Sequence, residues 1–254
     1  MGTGWLAVQA PLRSVRRYEA IRAILRVATG LYSKVRVEGM ERLPAGSSVL
    51  CFSHQNWADP LFILATMPKR PRLYFFGPEQ EEMRRGFRNR LIRWGGLAVP
   101  YRPGKRGLVA ATARAEALLG RGEVVAIAGE GQIHAGERIV LPLQAGPAYL
   151  SLRAGVPLVP VAINGTSWLG FRRVVRVRVG LPLAPKPGPG ARQDASEVAG
   201  ATAEAQSALQ ALVGDFRDGP RPGRIGRCLT ELFNDWPEGR RPPAQARDGD
   251  AAVG

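Results

Sequence analysis

Histidine is nearly absent from this chain, with two in 254 residues, His54 and His134. Two imidazoles cannot furnish a typical zinc site alone, and no Cys/His cluster has zinc spacing, so no metal is expected. Cysteine is as scarce, at two, Cys51 and Cys228, far apart in sequence. That excludes a disulfide framework and makes a reducing cytosolic setting the default. Cys51 lies in the apolar run Val49-Leu50-Cys51-Phe52 and reads as a small buried hydrophobe. No segment reaches about 18 uncharged apolar residues, so no transmembrane helix is expected. The N-terminus lacks an uninterrupted apolar stretch, so no signal peptide is expected. No G-x-S-x-G elbow occurs, which counts against a serine hydrolase of that design. Acidic residues are few, 21 Asp and Glu against 36 Lys and Arg, for a formal net charge of +15. Such a surface asks for an anionic partner: nucleic acid, acidic lipid or a phosphorylated substrate. Arginine dominates, and its fork fits phosphate oxygens in pairs. With no RNP-like aromatic strand and no helix-turn-helix signature, nucleic acid is not the expected partner.

What is present alternates. The length suits one α/β domain with tails. Apolar residues recur at helical spacing from Pro11 to about Ser33, interleaved with Arg13, Arg16, Arg17, Arg22 and Arg26. This predicts a basic amphipathic helix over residues 1–34, either lying in an anionic membrane surface or packed on the domain with a solvated basic face. Strands are predicted at Val35–Val37, Val49–Phe52, Leu73–Phe76, Leu97–Pro100, Val124–Ala128, Leu158–Ile163 and Val174–Val179. Helices are predicted at Pro60–Thr66, Gln80–Trp94, Gly107–Leu119, Pro147–Ala154 and Ala191–Phe216. The pattern implies an α/β fold, a mixed or mostly parallel sheet flanked by helices, over 35–216. Residues 217–254 read as a flexible basic tail with at most one helical turn at Leu229–Phe233.

The run His54-Gln55-Asn56-Trp57-Ala58-Asp59 follows an apolar strand and precedes Pro60. Five helical residues turn about 500°, so one continuous helix would hold His54 and Asp59 on different faces. Pro60 fits a first helical position, which makes Asp59 the N-cap and His54 a strand-end residue. A loop could then return the carboxylate to the imidazole, fix its tautomer and leave the other nitrogen as a base. The plainer reading is a capping Asp beside an unrelated loop His. Two further stretches end strands where open α/β sheets place ligands. Gly95 to Arg102 ends in an arginine that could grip phosphate. Around Glu130-Gly131-Gln132, backbone N–H groups could hold an anion or oxyanion. Alone, these are a surface arginine and a turn glycine. Val156 to Gly165 carries Pro157 and Pro160, which suits an edge, a bulge or a strand entry, with a plain core strand as the alternative.

In order and spacing these four stretches resemble the lysophospholipid acyltransferase family, and most nearly its bacterial 1-acylglycerol-3-phosphate acyltransferases of the PlsC type. The resemblance covers roughly 35–183. His54 and Asp59 match its H-x4-D motif, Gly95 to Arg102 its second block, Glu130-Gly131 the start of its third, and Val156 to Gly165 its proline-valine block. The third block departs: Gln132-Ile133-His134 stands where Thr and Arg are usual, leaving open whether His134 or Arg138 compensates. Ser53 stands where Asn often precedes the motif histidine. The resemblance implies acyl transfer from acyl-CoA or acyl carrier protein, with no cofactor, to a lysophospholipid hydroxyl. It implies His54 and Asp59 as the catalytic pair and Arg102, Glu130, Gly131 and Gln132 as substrate-binding residues, with Glu130 positioning Arg102 or a backbone turn. It also implies a peripheral place on the cytoplasmic face of the membrane. Competing readings are a different acceptor, such as glycerol 3-phosphate or another lysolipid, and a non-enzymatic basic protein binding anionic lipid or nucleic acid.

Overall fold

Seven segments rich in Val, Ile, Leu and Phe pair into one sheet: β1 (Lys34–Glu38), β2 (Ser48–Phe52), β3 (Leu73–Pro78), β4 (Ala98–Tyr101), β5 (Val124–Ala128), β6 (Leu158–Asn164) and β7 (Val174–Val179). The structure is a computed structural model. It describes residues 12–78, 94–101, 104–134, 136–184, 194–217 and 223–233, without the side chains of 12–14, 105 and 231–233. Arg102 and nearly all of the helix expected at Gln80–Trp94 lie outside the described residues. The helices are α1 (Leu12–Tyr32), α2 (Asp59–Thr66), α3 (Lys105–Leu119), α4 (Gly146–Ala154), α5 (Ala195–Val213) and α6 (Arg224–Phe233).

The sheet order is β1-β7-β6-β2-β5-β3-β4, parallel at every pairing except β6 with β7. The α/β class with a mostly parallel mixed sheet, expected from the alternation, is what forms. Pleating sends alternate residues to opposite faces. Leu50, Phe52, Leu73, Phe75, Val159 and Val161 pack one face beneath α1 and α2. Val49, Cys51, Val125, Leu158 and Ala162 pack the other beneath α3, α4 and α5. β2 and β6 are buried along their whole length. Covered on both faces, they read as unbroken apolar runs, whereas β7 alternates buried Val with Arg.

Pro160 stands inside β6, between β2 and β7. Val161 pairs with Val179, but Leu158 bridges Leu183, so three steps on β6 face four on the returning chain. This is a one-residue bulge, and it absorbs the N–H that proline lacks. The Pro160 oxygen still accepts Gly180 N–H at 2.8 Å. The strand is therefore both of the core and bulged, and an edge position is excluded.

Three features differ from the sequence reading. Asp59 is the first helical residue of α2, preceded by Ala58, and does not cap the helix with its side chain. Arg22 is no headgroup arginine: it is buried, and its Nε donates to Met67 O at 2.6 Å. Within 217–254, α6 is a full helix rather than one turn. Leu169 N–H donates to the hydroxyl of its buried Thr230 at 2.8 Å.

Candidate functional site

The three central parallel strands, β6, β2 and β5, end side by side. Their carboxyl ends deliver segments 53–59, 129–144 and 164–167 to one rim, the place where such sheets hold ligands. Beyond β2 the chain turns at His54. The His54 Nδ1 lies 3.0 Å from Asp59 Oδ2. That same oxygen accepts Gln55 N–H at 2.6 Å and Asn56 N–H at 2.7 Å. Asn56 closes the loop: its side-chain oxygen accepts Ala58 N–H at 2.9 Å, and its carbonyl accepts Asp59 N–H at 3.0 Å. His54 is 2% exposed and Asp59 0%. With two backbone donors already on the carboxylate oxygen, Asp59 is an acceptor, and it assigns the ring proton to Nδ1. The Phe52 ring meets the imidazole edge-on at 5.6 Å between centroids. Ser53, fully buried, accepts Ile163 N–H at 3.0 Å and ties β2 to β6.

The β5 end holds the peptide of His54 rather than its ring. Glu130, 2% exposed, accepts His54 N–H on Oε2 at 3.1 Å. Its Oε1 accepts Leu141 N–H at 3.2 Å and lies 3.0 Å from His134 Nε2. His134 in turn donates its own N–H to the His54 oxygen at 3.1 Å. Glu130 therefore braces a backbone turn. Gly131 takes φ +67, and its N–H is engaged with Ala128 O at 3.2 Å, so it is not an open anion donor. Gln132 is half-buried on the same turn. Arg102 lies outside the described residues. Arg138 points elsewhere, its Nε donating to Gly214 O at 3.1 Å.

Two buried side chains that sequence reasoning did not single out join these loops. Gln55 Nε2 donates to Gly136 O at 3.3 Å, and Thr166 Oγ1 donates to Gln55 Oε1 at 3.4 Å. Glu137 accepts Gly165 N–H at 2.6 Å and Ser167 N–H at 2.9 Å. Their signal was weak, since a Gln beside a motif and a Glu in a loop are common surface residues. Burial pushes the Cys51 thiol up to about 12, with the Glu130 charge adding to it, so this cysteine stays protonated and is no nucleophile. Among the described residues no three His, Cys, Asp or Glu are grouped to hold a metal.

The family model described as Acyltransferase matches residues 34–164, from β1 to the end of β6. Among solved structures, the chain is similar to the 1-acyl-sn-glycerophosphate (LPA) acyltransferase PlsC from Thermotoga maritima. The TM-score is 0.60 at 23% identity, covering 82% of this chain and 86% of that one, a likeness of fold. No curated protein sequence matches the chain significantly.

Proposed function

This chain belongs to the acyltransferase family, and from that premise we propose that it moves a fatty acyl group from an acyl thioester to the free hydroxyl of a lysophospholipid. The donor is acyl-CoA or acyl carrier protein, the acceptor 1-acylglycerol 3-phosphate, and the product phosphatidic acid. The observation that carries this reading is the His54 Nδ1 to Asp59 Oδ2 contact of 3.0 Å at the carboxyl end of β2.

With the ring proton on Nδ1, His54 Nε2 takes the proton of the acceptor hydroxyl as its oxygen attacks the thioester carbonyl. Asp59 orients the ring and stabilises the imidazolium that forms. Collapse of the tetrahedral intermediate breaks the C–S bond. The imidazolium returns its proton to the leaving thiolate, so a free thiol and an ester result. At the proposed acceptor end Arg102 takes the phosphate, Glu130 and Gly131 shape the turn beside it, and Gln132, half-buried on that turn, completes the binding set. The reaction needs no cofactor beyond the thioester.

The experiment is free-thiol release from an acyl thioester with 1-acylglycerol 3-phosphate, for the wild type and His54→Ala. A base of this kind contributes about 10²–10⁴-fold. Residual activity within about tenfold of wild type would remove His54 from that role.

A second acceptor is favoured by one observation. Gln132-Ile133-His134 replaces the usual Thr and Arg, His134 is buried on Glu130, and Arg138 is engaged with Gly214. A panel with glycerol 3-phosphate and other lysolipids at one donor decides between them. We also place the protein peripherally on the cytoplasmic face of an anionic membrane, with α1 as its contact. No described helix is long and apolar enough to cross a membrane.

A further inference from the structure

Both histidines of the chain meet around the backbone of His54. The His54 N–H donates to Glu130 Oε2 at 3.1 Å, and Glu130 Oε1 lies 3.0 Å from His134 Nε2. The His134 N–H donates to the His54 oxygen at 3.1 Å. The circuit closes: His54 N–H, the Glu130 carboxylate, the His134 ring, the His134 backbone, His54 carbonyl. Its members are nearly solvent-free, at 2% exposure for His54, 2% for Glu130 and 5% for His134. Both carboxylate oxygens already accept a backbone N–H, from His54 and from Leu141. The hydrogen between Glu130 and His134 therefore belongs to the imidazole, which donates it.

We propose that His134 is a positioning residue for acyl transfer, acting through Glu130 to hold the His54 peptide, and so its imidazole, in reacting register. The proposal rests on His54 being the base. Without the His134 donor, the Glu130 carboxylate keeps backbone partners but loses the side chain that fixes its rotation. The oxygen on His54 N–H then wanders in a buried site where any movement carries the ring with it. The Asp59 contact sets the tautomer and direction of the imidazole. The Glu130–His134 pair sets the height of its backbone above the sheet.

The test compares His134→Leu, which fills the space without a donor, with His134→Gln, whose Nε2 can reach the place of the imidazole Nε2. Thiol release gives kcat and KM, and proton–nitrogen NMR gives the chemical shift of the His54 amide, which the adjacent carboxylate deshields. For His134→Leu we expect kcat to fall by about ten- to a hundredfold, as for a reacting group displaced by a fraction of an ångström, with KM for both substrates within about threefold. The His54 amide proton should move upfield. His134→Gln should recover kcat to within about threefold and restore the shift, because its amide remakes the same donated bond. Glu130→Gln, which keeps the bulk, serves should His134→Leu not fold, and should lower kcat and move the amide in the same sense. An unmoved amide, an unchanged kcat in His134→Leu, or a His134→Gln as slow as His134→Leu would overturn the proposal. A wild type that releases no thiol with any acceptor defeats the acyl-transfer reading instead, and the amide shift then tests the clamp by itself.

Discussion

At the scale of single residues, one carboxylate oxygen organises the site. Asp59 Oδ2 receives two backbone N–H groups and the His54 ring, so the oxygen that directs the imidazole is itself fixed by the loop that carries it. Asp59→Asn puts an amide there, which must aim its NH2 at donors or present its oxygen to all three. We expect kcat to fall about 10²–10⁴-fold from the disturbed tautomer, read by single-turnover thiol release on protein whose circular dichroism is unchanged. Residues acting as a unit are non-additive, so His54→Ala/Asp59→Asn should be no slower than His54→Ala. A further multiplicative loss would separate their roles. Cys51 supplies a control: buried, with its thiol pushed up to about 12, it should resist alkylation in the folded protein while exposed Cys228 is labelled. Peptide mass mapping reads this, and inactivation tracking Cys51 labelling would contradict it. The sequence made His54 and Glu130 visible because each follows a strand end, and Asp59 because Pro60 after it marks a helix start. His134 as partner of Glu130 was not visible, because four residues of irregular loop carry no periodicity that says which side chains meet.

Elements were legible where one period dominates. Val174–Val179 alternates, and its arginines meet Asp215 at the end of α5 while its valines enter the core. Those two arginines hold the Asp215 carboxyl down to about 2. This link is present above the usual carboxylate range and is lost as pH falls through that value. Strand order was not legible, since pairing depends on which faces can be covered and not on any single segment. α6 was read as a single turn at Leu229–Phe233 because Arg, Pro and Gly around it mask a short helix, whose Thr230 side chain bonds the loop after β6. The connection from β6 to β7 turns on Gly165, at φ +88. A Cβ there would lie 2.0 Å from the Val174 carbonyl oxygen. Gly165→Ala should therefore cost more than the ~1 kcal/mol typical of a compatible glycine site, since backbone would have to move. Urea unfolding checks it, and an unchanged midpoint would mean the turn can relax. Asp194 begins α5 and its N–H donates to Glu197 Oε2 at 3.3 Å, as in a capping box, so Asp194→Ala should lower the urea midpoint in the same measurement.

For the whole molecule, the question is how a strongly basic protein would meet the lipid acceptor proposed above without a spanning helix among the described residues. α1 has two apolar faces. Tyr18, Ile21 and Leu25 are buried in the core, while Ile24, Val27 and Leu31 stand 64%, 62% and 71% exposed. At about 100° per residue, the exposed three cluster on the side away from the core, with Arg16 and Arg17 about two turns nearer the N-terminus than Ile24. Phe171, 73% exposed, lies beyond the end of the helix, its ring 6.3 Å from that of Tyr32. Exposed side chains contribute little to folding, so replacing Ile24, Val27 and Leu31 together by Ser should change stability by about 0.5 kcal/mol or less per site. Moved into an acyl boundary, each would gain roughly 1 kcal/mol, part of the ~1.5–3 of full burial. The triple variant should therefore bind anionic vesicles about a hundredfold more weakly in sedimentation. Raising salt separates the two contributions, because arginine attraction is screened within about 8 Å at physiological ionic strength and apolar insertion is not. Wild type released completely by salt, with the triple variant binding as well as wild type before it, would show that charge alone holds the protein to the surface and that the stripe faces something other than lipid.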